Sequence, residues 1–200
     1  NDILYVDPAY TVSEQNIPYQ LKLYKLNSTN SNFIEWYNSS NGTTITNPYR
    51  IEVDKLGNVY LSDSGGNSGY GRVLIFNAQK ELIKIIEGDN IGAPGDLVVD
   101  NYGYLYVIDY EKDLTFNGIF QDPTVLLNNY DVIKNKNYKI RVYDPEFNYV
   151  NEISSDLNLP IDMTLDSCGY IYVNDLKLGG TVDMTTFTID ATLDFRLKKI

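Results

Sequence analysis

Histidine is absent from the 200 residues of this sequence, and cysteine occurs once, at Cys168. Without histidine the sequence cannot supply a Ser-His-Asp triad, a histidine-ligated zinc site or the most common general base. A single cysteine excludes a disulfide within these residues and the usual cysteine-rich zinc clusters. We therefore predict no catalytic residues, and the sequence favours a non-enzymatic role.

Basic residues are also few, since 16 Lys and Arg stand against 27 Asp and Glu, for a formal charge of −11. Nucleic-acid-binding surfaces present clustered Lys and Arg, so we expect no nucleic-acid partner. No apolar run approaches the ~20 residues that a membrane-spanning helix needs. We therefore expect no membrane insertion.

What the sequence does contain is a repeat, with copies at 47–63, 93–109 and 159–175. Each copy has a Pro near its start, the pattern D-x-x-G, then a Tyr and a closing Asp. The Asp–Gly pairs are Asp54/Gly57, Asp100/Gly103 and Asp166/Gly169, and the closing acids are Asp63, Asp109 and Asp175. Because the spacing is identical each time, the copies indicate one structural unit used repeatedly.

Two further apolar segments follow each copy, and a partial copy precedes the first. The segments are short, rich in Val, Ile, Leu and Tyr, and lack helical periodicity, which is typical of strands. The unit therefore has four strands, a to d, and four-stranded antiparallel units in series predict an all-β fold of β-propeller type. We predict a single region, 1–200, with blades at about 1–46, 47–92, 93–158 and 159–200, forming an incomplete ring. In the last blade, strands c and d are predicted at 186–190 and 194–200.

The repeated pattern P-x-x-[IL]-x-[VL]-D-x-x-G-x-[VLI]-Y-V-x-D resembles the NHL-repeat family of propellers. A following pattern, R-V-x-[IV]-[FY]-[ND], strengthens the resemblance at Arg72–Asn77, and a shorter R-V-Y-D follows the second copy at Arg141–Asp144. The resemblance implies a propeller with more blades than the roughly four present here. It therefore implies a fragment of a larger ring, a second chain that completes the ring, or an open arc. Because an open arc would expose sheet edges, we favour a piece of a larger ring.

The order of the strands predicts which face binds a partner. In an up-and-down sheet the b–c and d–a connections share one end, which we call the loop face. The b–c connections are long and differ from one another, at roughly 8–18, 63–71, 110–138 and 175–185. Variable loops on a constant scaffold are where binding usually occurs, so we expect the partner on the loop face.

Two groups of residues are candidates for binding on this face. The insertion at 110–138 carries Tyr110, Phe116, Phe120 and Tyr130 among amide side chains, a combination that suits sugars, peptides or another protein. The alternative is that the segments 119–120 and 125–130 form an extra hairpin that packs on the blade or on the next subunit. The strand-end carboxylates Asp63, Asp109 and Asp175 can gather calcium or accept hydrogen bonds from the amides of their own loops. Their recurrence in every blade favours the structural role.

These features favour a binding and assembly module in an extracellular, cell-surface or virion-associated setting, with a protein or a glycan as partner. No cofactor is expected. The alternative hypothesis is a calcium-dependent hydrolase or lyase that resembles the lactonase propellers. In a sequence without histidine, calcium held entirely by oxygen ligands is the metal site that remains.

Overall fold

The computed structural model describes residues 4–7, 22–26, 33–38, 45, 48–63, 70–110, 133, 136, 138–154, 156–183 and 188–199. Strands dominate these residues, apart from a short 3-10 turn at Gly88–Asn90. The strands are β1 (Leu4–Asp7), β2 (Lys22–Leu26), β3 (Phe33–Asn38), β4 (Pro48–Val53), β5 (Val59–Asp63), β6 (Arg72–Phe76), β7 (Leu82–Ile86), β8 (Pro94–Val99), β9 (Leu105–Asp109), β10 (Lys139–Tyr143), β11 (Tyr149–Ile153), β12 (Pro160–Leu165), β13 (Ile171–Asp183) and β14 (Thr188–Lys199).

The strands form four antiparallel sheets in chain order. The first sheet is β1-β2-β3, the second β4-β5-β6-β7, the third β8-β9-β10-β11 and the fourth β12-β13-β14. The first strand of the third sheet, β8, lies beside the first strands of the second and fourth sheets, β4 and β12. The sheets are thus arranged like blades, with their first strands gathered on the inside.

Apolar side chains fill the spaces between successive sheets. One face of the second sheet contributes Val59, Leu61, Leu74 and Phe76 to a cluster with Ile45, and its other face packs through Tyr60, Val73 and Ile75 on the third sheet. A third cluster joins the third sheet to the fourth through Val98, Ile108, Met163 and Val173. Every residue of β5 and β6 is buried, whereas β11 on the outside is largely exposed. Middle strands covered on both faces explain the nearly continuous apolar runs in the sequence.

The D-x-x-G pattern forms the same turn between the first and second strands of three sheets. In the first copy, one carboxylate oxygen of Asp54 accepts hydrogen bonds from the backbone N–H groups of Leu56 and Asn58, each at 2.8 Å. The other oxygen accepts a 3.1 Å hydrogen bond from the Tyr60 hydroxyl. Gly57 has φ +83°, a left-handed conformation that glycine adopts without steric cost. Asp100 and Asp166 repeat these contacts.

The fourth sheet corrects the strands predicted near the end of the chain. The segments 186–190 and 194–200 were expected to be separate strands c and d, but β14 is one unbroken strand over the described part of both, Thr188–Lys199. It pairs with β13 from Tyr172↔Lys199 to Asp183↔Thr188. The connection predicted at 175–185 is therefore mostly strand, because β13 continues to Asp183 rather than ending at Asp175. The repeat pattern marks where a strand begins and does not encode this extension.

No helix in the described part of the chain is both long enough and apolar enough to cross a bilayer.

Candidate functional site

Three charged residues occupy the same position in three repeats. Each lies two residues after the proline that begins the first strand of its sheet: Arg50 in β4, Asp96 in β8 and Asp162 in β12. Because these strands lie side by side on the inside of the fold, the equivalent positions converge. We call Arg50, Asp96 and Asp162 the charged trio.

Arg50 bridges the two carboxylates of the charged trio. Its Nη2 donates a 3.1 Å hydrogen bond to Oδ1 of Asp162. Its Nε lies 3.4 Å from Oδ1 of Asp96, close enough for an ion pair but without the geometry of a hydrogen bond. Its guanidinium also lies 5.1 Å from the centre of the Tyr49 ring, within the range of a cation–π contact. The Arg50 guanidinium therefore interacts with two carboxylates and one aromatic ring.

Asp96 is the buried member of the charged trio. Its side chain is 9% exposed, and its Oδ2 accepts a 2.6 Å hydrogen bond from the backbone N–H of Met163 on the next sheet. Burial raises the pKa of Asp96 to about 7, and the nearby Asp162 carboxylate adds to this rise while the Met163 hydrogen bond and Arg50 oppose it. The carboxyl can therefore hold or release a proton near neutral pH.

Burial also perturbs two neighbours of the charged trio on β4. It raises the pKa of Tyr49 to about 12, although the Arg50 charge acts in the opposite direction. It raises the pKa of the Glu52 carboxyl as well, with no opposing contribution from a cation. Glu52 lies two residues along β4 from Arg50, on the same face of the strand.

The charged trio lines a groove of about 640 Å³ that runs along the inside of the fold. We call it the inner groove. Its walls are β4, β8 and β12, and it extends from the charged trio to the turns at 100–102 and 166–169. The charged trio lies near the loop face, because each first strand begins opposite a closing acid such as Asp63. Together its side chains offer a cationic donor, carboxylate acceptors and one proton with a pKa near neutrality.

The three closing acids predicted as binding residues are fully buried. Asp63 accepts hydrogen bonds from Nε and Nη2 of Arg72 at 3.0 and 2.8 Å. Asp109 accepts hydrogen bonds from the N–H groups of Gly92 and Ala93, and it forms an ion pair with Arg141.

Asp175 accepts the corresponding amide hydrogen bonds, from the N–H groups of Asn158 and Leu159. These amides belong to the d–a connections. The amides that we expected as donors belong to the loops after the acids, and 64–69 and 111–132 of those loops lie outside the described residues. The three carboxylates are held by the protein itself, so a calcium ion or a partner on the surface would not reach them in this arrangement. Among the residues whose side chains are described, no three acidic or cysteine side chains are placed to hold a metal.

Tyr110, the first aromatic residue of the predicted binding insertion, is also fully buried. Its hydroxyl donates a hydrogen bond to the carbonyl oxygen of Pro160, and its ring meets Tyr138 edge-on with 5.7 Å between centroids. It packs so closely on Gly95 that a Cβ there would lie 2.3 Å from its ring. Tyr110 therefore joins the third sheet to the fourth. Phe116, Phe120 and Tyr130 lie outside the described residues.

The charged trio was not predicted from the sequence, because its members lie far apart along the chain. The signal was present, since each repeat carries a charge two residues after its Pro, inside a strand that is otherwise mostly apolar. Equivalent positions of a repeat converge in space when the repeats are arranged around an axis. Comparing one column of the aligned repeats would therefore have identified these residues.

Comparisons with known proteins bear on the fold. No family model matches the sequence, and no curated protein matches it, so membership of the NHL-repeat family stays a prediction. Among solved structures, PorZ of the type-IX secretion system of Porphyromonas gingivalis matches 90% of this chain at 12% identity, with a TM-score of 0.50. A streptogramin B lyase matches 96% of it at 11% identity, with a TM-score of 0.48.

A protein of unknown function from Bacteroides caccae matches 86% of the chain at 10% identity, with a TM-score of 0.44. The chain spans 58% of the lyase structure, 26% of the PorZ structure and 56% of the Bacteroides structure. Identities this low speak for the fold alone. With its sheets packed face to face and their first strands gathered inside, the chain is an all-β protein of the β-propeller fold.

Proposed function

We propose that this chain is a non-enzymatic binding and assembly module that takes a protein or a glycan on its loop face. The observation that carries the proposal is the charged trio at the loop-face end of the inner groove. Buried ionic groups usually stabilise a fold less than apolar residues of similar volume would. A buried carboxyl with a strongly raised pKa inside a cleft is a common mark of a functional site.

The distribution of charge and loops supports the same proposal. The formal charge of −11 favours rapid, electrostatically steered association with a partner of opposite charge. The b–c connections of the second and third sheets begin at Asp63 and Asp109, at the same end of the sheets as the charged trio. We infer an extracellular, cell-surface or virion-associated setting, where a second chain can complete the ring beside the three-stranded first sheet.

A screen followed by footprinting tests the proposal. The intact chain is screened against an array of glycans and a panel of secreted and surface proteins. Hydrogen–deuterium exchange is then measured for the complex with each hit. We expect protection at the d–a segments 91–96 and 157–163 and in the long b–c connections.

Matched variants sharpen the experiment. Arg50→Gln changes the charged trio, whereas Lys80→Gln removes one positive charge from an exposed turn between β6 and β7 at the opposite end of the blade. We expect the first variant to change the affinity for the partner and the second to leave it unchanged. Partners that protect only the turns at 54–58, 77–81 and 144–148 would refute a loop-face site.

A further inference from the structure

We propose that the inner groove binds a basic segment of a partner protein, with an arginine or lysine side chain of the partner seated beside Glu52 and Asp162. This inference rests on the proposed function and adds the chemical class of the ligand. The argument depends on the side chains that line the groove and on their charges.

Glu52 is a half-buried acid that has no counterion among the described residues. Burial raises the pKa of its carboxyl, and no neighbouring cation or donor contributes a lowering effect. Among the described residues, no hydrogen bond or ion pair is found for this carboxylate, although Arg50 is close by on the same strand. An acid desolvated without compensation gains most from a cation that a ligand brings to it.

Asp162 offers a second carboxylate across the groove. Its side chain is 53% exposed, so only part of it is covered by the ion pair with Arg50. An incoming guanidinium or ammonium group can share this carboxylate, because an ionised carboxylate has two oxygens and about four acceptor sites. Arg50 itself is occupied by two acids and leaves the rest of the groove acidic.

The sum of charges along the inner groove favours a cation over a neutral ligand. Among the described residues that line the groove, five are acidic and one, Arg50, is basic; the acids are Glu52, Asp96, Asp100, Asp162 and Asp166. Concave walls of one sign concentrate the electric field and raise the local concentration of ions of the opposite sign. A neutral glycan would gain nothing from this field.

An exposed aromatic residue at the far end of the groove suits the rest of such a ligand. Tyr102 lines the groove at the turn after β8, and its side chain is 81% exposed. A tyrosine ring can cover the aliphatic stem of a lysine or arginine, or lie against a cation at its face. The combination points to a segment that carries both basic and apolar residues.

A pair of peptides that differ in charge tests the inference. The probes are fluorescein-labelled Gly-Phe-Arg-Phe-Arg-Gly and its twin with citrulline in place of each arginine, which keeps the shape and removes the charge. Fluorescence anisotropy is measured with the full chain at about 50 and 200 mM salt. We expect the arginine peptide to bind at least about tenfold more tightly than its twin, and to bind more weakly at the higher salt.

Two matched variants locate the site. Glu52→Gln removes the acid without a counterion, and Glu146→Gln removes an acid from the exposed turn between β10 and β11. We expect Glu52→Gln to lower the affinity for the arginine peptide by about tenfold. Glu146→Gln should lower it by less than about twofold, since exposed charges at a distance are screened. Because the Glu52 carboxylate is desolvated without compensation, Glu52→Gln should melt no lower than the wild type, so lost binding would not reflect unfolding.

Each result supports or overturns the inference. Equal binding of the two peptides, or equal effects of Glu52→Gln and Glu146→Gln, would overturn it. If a glycan from the array protects the loop face while the arginine peptide does not bind, the cationic ligand is wrong and the proposed function stands. If neither the array nor the protein panel yields a ligand on the loop face, the proposed function fails as well.

Discussion

Asp109 should be among the acids whose loss costs the fold most. It is fully buried at the end of β9. One of its oxygens accepts hydrogen bonds from the N–H groups of Gly92 and Ala93 at 3.1 and 3.0 Å. The other oxygen accepts a hydrogen bond from Nε of Arg141, whose side chain is 16% exposed. One carboxylate thus fixes the entry of the third sheet and neutralises a largely buried cation.

Replacing Asp109 by alanine leaves two amides and one guanidinium without their acceptor. Breaking a buried ion pair from one side typically costs about 3–5 kcal/mol, because the remaining charge stays desolvated. A domain of this size is stable by about 5–15 kcal/mol in total. We therefore expect Asp109→Ala to lower the free energy of unfolding by about 3–5 kcal/mol, a large fraction of the whole.

Urea unfolding at about pH 7, followed by far-ultraviolet circular dichroism, measures this loss. Asp144→Ala is the control, because Asp144 lies in an exposed turn and accepts hydrogen bonds from the N–H groups of Glu146 and Asn148. Its loss should cost much less than the loss of Asp109, because water can replace the contacts of an exposed carboxylate. If Asp109→Ala does not fold, Asp109→Asn keeps one oxygen for the two amides and should show an intermediate loss.

The double variant Asp109→Ala/Arg141→Met tests the cause. Removing the stranded cation should restore part of the stability, since an apolar residue no longer needs the missing acid. If Asp109→Ala costs no more than Asp144→Ala, or if Arg141→Met restores nothing, then the carboxylate does not hold the fold as described.

Three further changes test other parts of the structure. Burial raises the pKa of Asp96 from 3.8 to about 7, so its contribution to stability is fully present below pH ~4 and is lost as pH rises through about 7. Asp96→Asn should therefore gain in melting temperature relative to the wild type between about pH 4 and pH 8, and a constant difference would contradict the assignment. Gly95→Ala should lower the free energy of unfolding by about 1–3 kcal/mol or more in the same urea assay, because the Cβ of the new alanine would lie 2.3 Å from the Tyr110 ring. An unchanged urea midpoint would show that the ring moves freely. Lys80 has φ +71° and Gly103 has φ +89°. Lys80→Gly should therefore raise the urea midpoint slightly, whereas Gly103→Ala should lower the free energy of unfolding by about 1–2 kcal/mol. Changes of the same sign would refute the argument from backbone strain.

Local chemistry explains why much of the fold could be predicted from the sequence. The turn at Asp54 depends on one carboxylate, one glycine and one tyrosine hydroxyl at fixed spacing, and all three are visible in the letters. Strands covered on both faces are visible as continuous apolar runs. The all-β propeller and the order of its sheets follow from these local rules.

The remaining features depend on contacts between distant parts of the chain. Nothing local distinguishes Tyr110 from an exposed aromatic residue, because its burial depends on Pro160 and Tyr138. The length of the β13–β14 hairpin depends on which residues pair across it. The repeated sequence pattern ends at Asp175 and does not specify those pairs. The members of the charged trio are far apart along the chain, with a separation of 46 residues between positions 50 and 96 and of 66 residues between positions 96 and 162. Sequence reasoning that treats each blade alone cannot bring such residues together.

The position that carries the charged trio has a consequence for how such a protein can change. Arg50, Asp96 and Asp162 are equivalent letters in duplicated units, each away from the turn that Asp54 and its counterparts hold together. A single codon in one unit can therefore reverse a charge in the inner groove while the turns and the closing acids are left intact. Each repeat thus contributes one side chain to the inner groove, and the charge of the groove can change by one residue at a time.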